Sequence, residues 1–289
     1  MTDNPAHHHQ ETGGLPLDVL PPAVFVGLLA GAYVLLAWRA RRRNPQAGWS
    51  RWRTGWFLAG CALLAAGLLP PVAPWAHGDF RGHMLQHLLI GMYAPLGLVL
   101  GAPVTLLLRN LRPETGRRLI GLVRSRPMHV PAHPVSALVL GVGTLGLLYF
   151  TPLYNTMSAN TWLHWLLHAH FLLAGCVFAY VIAGPDPAPA RPGVPVRLVV
   201  LGVAVVAHAV ISQLMYGGFG IDIHAPVDQV QGGAQIMYYG GDIAELLLAA
   251  ALVATWRPQP AGPRGGGADG RRGPRWRKPR TPFAAVDGT

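Results

Sequence analysis

The chain has 289 residues, of which 51% are hydrophobic and only 12% charged, and its mean hydropathy is positive. A soluble domain ordinarily carries about 25% charged residues, so the composition excludes that class and describes a chain made for the bilayer. The net charge of +11 would suit a nucleic-acid surface, but the placement of the charges along the chain gives them another role.

Residues 1–19 form a polar, acidic tail without Lys or Arg that contains His7, His8 and His9; it is expected to lie outside the cell. Seven apolar runs follow, near 20–38, 54–73, 83–108, 134–151, 161–183, 197–216 and 233–256. A helix needs about 20 such residues to cross the hydrocarbon core, so an all-α, polytopic membrane bundle of about seven helices is expected. The first run does not resemble a cleaved signal peptide, because an acidic tail precedes it instead of a positive n-region. The third contains Pro95 and Pro103 with Gly91, Gly97 and Gly101, and a kink or break is expected there. Residues 257–289 are rich in Pro, Gly and Arg and cannot bury a core; they are expected to be disordered and cytoplasmic. No internal repeat supports an inverted-repeat transporter.

If the first helix starts outside, the segments 39–53, 109–133, 184–197 and 257–289 face inward and hold 22 of the 23 Lys and Arg residues, leaving Arg81 for the other face. Such asymmetry follows the positive-inside rule. It predicts a multi-pass protein of the bacterial plasma membrane with its N-terminus outside and its C-terminus in the cytoplasm. The basic residues then serve topology and contact anionic lipid, with no nucleic-acid partner.

Orientation turns sequence position into depth, since each helical residue rises about 1.5 Å. His83 and His87 fall in the first turns of the third span, at i and i+4 on one face. His164 and His168 repeat the arrangement at the start of the fifth; His170 points elsewhere. The sixth span offers His208 near its middle and Met215 two turns nearer the outside. Outer loops add His77, Asp79, Asp222, His224 and Asp228, and the seventh span adds Met237, then Asp242 and Glu245 at mid-bilayer. Of the 13 histidines only His129 and His133 fall on the cytoplasmic side.

Each residue also has a plainer reading. A lone outer histidine hydrogen-bonds water or headgroups, Met84, Met92 and Met157 fill gaps in a core, and Asp242 or Glu245 either partner His208 or form a proton path. Imidazole suits zinc, copper, iron and nickel, and added thioether shifts the preference to Cu(I). Cys61 and Cys176 lie far apart and form no CxxC pair. The candidate metal ligands are therefore His83, His87, His164 and His168, with His208 and Met215 secondary. Asp79, Asp228, Asp242 and Glu245 are candidates to orient a ligand histidine or relay a proton. Two alternatives are a b-type haem held by histidines of the third and fifth spans and a proton-coupled metal transporter built on His208, Asp242 and Glu245. No GxSxG, HExxH or P-loop pattern suggests an enzyme.

In chain order, the stretches "HMLQHLLIGMYAPLGLVLGAP", "HWLLHAHFLLAGCVFAYVI" and "DQVQGGAQIMYYGGD" resemble the CtaG family of cytochrome c oxidase assembly factors over roughly residues 20–256. The most specific part is His83-x-x-Gln86-His87 followed by Ala94, Pro95, Gly101, Ala102 and Pro103. The resemblance implies a plasma-membrane protein that helps metallate or assemble a haem–copper terminal oxidase, through copper. Its partners would be an oxidase subunit or other assembly factors, and copper could bind one chain or lie across a homodimer. The residues it carries over are His83, His87, His164, His168, Asp228 and the Gly232–Gly233 pair before the last helix. One departure is Tyr238, where the family often has Trp.

Overall fold

The computed structural model describes residues 19–46, 48–123, 125, 130, 133–187 and 191–256, with backbone only at 122 and 123. The two predicted tails fall outside these residues, save Val19. Regular structure among the described residues is helical, with no strand. In chain order the helices are α1 (Leu20–Arg43), α2 (Arg51–Leu68), α3 (Val72–Gly78), α4 (Phe80–Leu100), α5 (Pro103–Asn110), α6 (Pro113–Val123), α7 (Pro134–Tyr149), α8 (Leu153–Ala159), α9 (Thr161–Ala183), α10 (Val194–Gly217) and α11 (Val227–Thr255). By length and composition α1, α4, α9, α10 and α11 can each cross a membrane. The bent pairs α2–α3, at 41°, and α7–α8, at 82°, bring the total to seven if each is one span. Side chains such as Leu28, Val199 and Leu246 project from the bundle exposed, as expected where the surrounding solvent is lipid.

Local chemistry sets where the helices that carry the histidines begin. The Asn160 carboxamide accepts from the amides of Trp162 and Leu163 at 3.0 and 3.2 Å, which fixes the start of α9 and puts His164 and His168 in its first turns. Asp79 does the same for α4, accepting from the Arg81 amide at 2.8 Å.

Within α4 a π turn spans Leu89–Tyr93. Pro95 follows directly; with no N–H to donate to Gly91, it frees a carbonyl that the wider turn accommodates. The sequence reading runs this segment to residue 108, but the helix ends at Leu100. Ala102 adopts φ +52°, a left-handed conformation. The proline ring at 103 crowds the residue before it out of the right-handed helical region, and α5 starts afresh with that proline in its first turn. Tyr33 donates to the Gly101 carbonyl at 2.7 Å, securing the break against α1.

Where α2 and α4 meet, backbone touches backbone. A Cβ on Gly60 would lie 2.5 Å from the Leu98 amide nitrogen, and one on Gly97 would lie 2.7 Å from the Gly60 Cα. Small residues allow this approach between apolar helices. Packing resolves into three clusters: Tyr33, Phe57, Leu64 and Leu106 between α1, α2, α4 and α5; Phe80, Met84, Tyr149, Met215 and Met237 at the end bearing His83; and Ile182, Leu201 and Leu252 at the opposite end. Helix α11 begins earlier than expected, so Gly232 and Gly233 lie inside it, facing Arg81 and Phe80.

Candidate histidine site

The bend between α2 and α3 folds a short helix back over α4. Gly82 admits it: a Cβ there would sit 2.7 Å from the Trp75 carbonyl carbon. This closeness brings His77 above α9, where its ring stacks on His164 with centroids 5.0 Å apart and planes at 25°. His164 in turn meets His168 edge-on at 4.3 Å. His77 Nδ1 lies 2.6 Å from the Ala73 carbonyl, an acceptor, so this nitrogen donates to it and Nε2 is turned away from the backbone of its own helix.

His83 faces this pair from α4. It interacts electrostatically with His77, His87, His164 and His168, and its ring packs edge-on against Tyr154 at 5.1 Å. Its Nε2 is 3.3 Å from the Tyr149 hydroxyl, which also lies 3.6 Å from the Met84 sulfur. One phenolic proton thus has two acceptors within reach. His87, one turn deeper, packs edge-on against Phe171 at 4.7 Å. The Nδ1 of His168 is buried without a hydrogen-bond partner, and its ring also borders an apolar cavity of about 530 Å³ between α1, α2, α4 and α9.

His77 on α3 thus touches the His164–His168 pair of α9, while the rings of His83 and His87 on α4 pack against Tyr154 and Phe171. Among the described residues, no group of three or more His, Cys, Asp or Glu side chains is gathered into a ready metal site. The rings of His77, His164 and His168 stack or meet edge-on, and the buried Nδ1 of His168 is left without a hydrogen-bond partner.

His208 and Met215 separate. Met215, fully buried, packs in the cluster that contains Met84, Tyr149 and Met237 beside His83. His208 lies deeper, its Nδ1 3.8 Å from Glu245 Oε1. Glu245 is thus the acid that meets His208. Asp242, half-buried, interacts with Glu245 along α11. Asp79 spends its carboxylate on the α4 cap and on the Arg81 guanidinium, at 2.6 Å; that guanidinium beside it holds its carboxyl below the usual carboxylate range. Asp228 is exposed in the first turn of α11 and interacts electrostatically with Arg81. His170 turns away from the cluster to the Leu140 carbonyl and the Thr144 hydroxyl, at 3.1 and 3.0 Å.

Sequence reasoning left His77, Tyr149 and Tyr154 out of the site. His77 sits six residues before His83 across a Gly-Asp turn, a spacing that hints at a folded-back segment. Nothing local marks the tyrosines, which arrive from α7 and α8 through the 82° bend.

Comparison with known proteins adds a family. The model of the cytochrome c oxidase caa3 assembly factors (Caa3_CtaG) matches residues 31–259. Uncharacterized proteins of Mycobacterium bovis and Mycobacterium tuberculosis are each 32% identical over 261 residues, covering 81% of this chain and 39% of their own length. One from Mycobacterium leprae is 32% identical over 257 residues, covering 82% of this chain and 38% of its own. The chain thus spans about two fifths of the length of these curated relatives. No solved structure matches it.

Proposed function

Because the chain belongs to the family of cytochrome c oxidase caa3 assembly factors, we propose that it serves a haem–copper terminal oxidase of the bacterial plasma membrane by receiving and passing on copper. The metal arrives as Cu(I) at the extracytoplasmic face and is held reversibly by His83, His87, His164 and His168. His77 completes the ring of donors. The protein performs no catalysis of its own; its partners are an oxidase subunit or another assembly factor.

The observation that supports this reading is the contact between imidazoles of α3 and α9, His77 stacked on His164 and His164 edge-on to His168, with His83 close by on α4. It gains weight from the distribution of charge, which leaves Arg81 alone among the basic residues on the histidine side of the predicted topology. Neutral imidazole is the protonation state that binds metal, and Met84 and Met215 beside the cluster favour the soft Cu(I) ion.

The test is an anaerobic Cu(I) titration of purified wild type, His83→Ala and His168→Ala, run beside terminal oxidase activity in cells short of copper. Both substitutions should weaken Cu(I) binding and lower oxidase activity while the amount of protein stays normal. Unchanged affinity in both variants removes the ligand assignment. A Soret band with reduced α and β peaks in the purified protein would replace copper with haem.

A further inference from the structure

Beneath the histidine cluster, a cavity of about 70 Å³ lies among α4, α7, α9, α10 and α11, and His87, Met92, His208 and Glu245 are among its lining residues. His208 is 2% exposed and Glu245 5%. Yet Nε2 of His208 and Oε2 of Glu245 have no hydrogen-bond partner. A buried polar atom left unpaired is costly, and such an atom asks for an occupant.

The arrangement around His208 says which kind. Its Nδ1 faces Glu245 Oε1 at 3.8 Å, longer than a direct hydrogen bond, and Nε2, on the other side of the ring, is the atom without a partner. A carboxylate behind an imidazole whose far nitrogen is free is the way proteins orient metal-binding histidines. Room for the ring is made by Gly241, where a Cβ would fall 2.0 Å from His208 Cε1. Across the cavity, the π turn at Leu89–Tyr93 carries Met92 and follows His87 by two residues; such a turn shifts the register of the side chains beyond it and recurs at functional sites.

Two imidazoles and a thioether, without thiolate and with one carboxylate, suit Cu(I) and do not suit a hard ion such as Mg²⁺ or Ca²⁺, which takes six or more oxygens. The geometry points to an inner Cu(I) station, with His208 Nε2 and His87 as nitrogen ligands, Met92 as the sulfur ligand, and Glu245 as the group that positions the His208 ring. The inference rests on the reading that the outer histidines receive copper, and it extends their path. His87 lies between the two groups, interacting electrostatically with His168 on one side and His208 on the other; its single lone pair serves the inner ion when both stations are filled, leaving His83, His164 and His168 to the outer one. Copper accepted at the outer cluster moves one helical turn along α4 into a pocket closed by Phe171 and Leu145.

The experiment counts ions. Full-length protein with His7, His8 and His9 replaced by alanine, held in lipid nanodiscs, is titrated anaerobically with Cu(I) against a chromophoric chelator, and the bound metal is read by X-ray absorption. Two equivalents are expected, one of them with a sulfur neighbour. His208→Leu should remove one equivalent and His164→Ala the other. Met92→Leu should remove the sulfur signal, and Glu245→Gln should weaken the inner equivalent by about 10- to 100-fold without abolishing it.

Two equivalents retained in His208→Leu would overturn the inner station. A single wild-type equivalent lost in His164→Ala and kept in His208→Leu would do the same while leaving the outer reading intact; one lost only in His208→Leu would uphold the inner station and sink the outer. Should His208→Leu fail to accumulate, Met92→Leu, which conserves volume, decides with Glu245→Gln: unchanged sulfur scattering together with unchanged affinity overturns the proposal.

Discussion

The two ends of the bundle spend their polar side chains differently. At the arginine end, Arg191 donates to the carbonyls of Gly184, Tyr180 and Asp186, and Arg197 donates to that of Ile182 at 2.8 Å. Thr255 donates to Ala183 at 3.1 Å. Apart from that of Asp186, these carbonyls belong to the last turn and cap of α9, where a helix runs short of amide donors and favours a cation nearby. Asp186 accepts from the amides of Val104 and Thr105 at 3.1 and 2.8 Å, capping α5 from across the fold. At the histidine end rings meet rings; nitrogens go unpaired at both ends, but those on His168 and His208 belong to imidazoles, which can offer a lone pair, whereas those on Arg191 and Arg197 are guanidinium Nε atoms, which cannot.

The comparison separates two uses of a buried polar group. Charges at the arginine end complete helix termini, so their removal harms the fold. His77 and His170 each reach a backbone carbonyl, but the imidazoles of His83, His87, His164 and His168 complete no helix terminus. Variants at the two ends should therefore fail in different assays.

Asp186→Ala should have the largest effect. It strips two amides and the Thr105 hydroxyl of a charged acceptor, and loss of such bonds costs roughly 1.5–3 kcal/mol each before relaxation. Thermal unfolding in detergent should show a marked drop, while the protein that remains folded keeps its Cu(I) affinity. A copper defect as large as the stability defect would erase the distinction between the ends.

His164→Ala is the converse. This ring is half-buried and bonds to no backbone group beyond its own helix turn, so the melting temperature should barely move. Cu(I) affinity should fall at least about tenfold, equivalent to about 1.4 kcal/mol, in the same chelator competition. Equal and large losses in both measurements would make the ring structural.

Tyr149→Phe sharpens the boundary. The phenol touches His83 and Met84 and holds the ring in place, so about 1 kcal/mol of stability should go while metal stoichiometry is kept. Abolished binding would move the phenol into the ligand set.

The smallest change is expected from Asp79→Ala, the α4 cap, at about 1 kcal/mol. Because Arg81 holds the Asp79 carboxyl below its usual range, the stabilisation is full above the ordinary carboxylate pKa and is lost as pH falls through the lowered value. The gap between wild type and variant in a melting series should therefore close in strong acid and stay constant from pH 6 to 8. A gap that persists in acid would assign the effect to packing.

Much of this architecture is legible in the chain. The seven apolar runs reappear as five long helices and two bent pairs, because hydrophobic length is a local property that a bilayer reads directly. The i, i+4 pairs His83–His87 and His164–His168 are equally local. The break at Gly101–Ala102 was foreshadowed by Pro103, although the place where α4 stops depends on a left-handed alanine that only its neighbours hold. Met215, two turns from His208 on one face, packs with Met84 and Met237, a contact the sequence does not reveal, since a face says nothing about which helix lies opposite.

The sequence by itself determined that this chain forms apolar helices, that most histidines and arginines fall in different segments of it, and that two helices begin with paired histidines; each follows from spacing and capping within a few residues. Tertiary structure alone decided that His77 stacks on His164, that Tyr149 and Tyr154 reach His83, and that Glu245 rather than Asp242 stands behind His208. Those contacts join residues dozens of positions apart, and they depend on bend angles and on glycine-sized gaps between helices that no local pattern encodes.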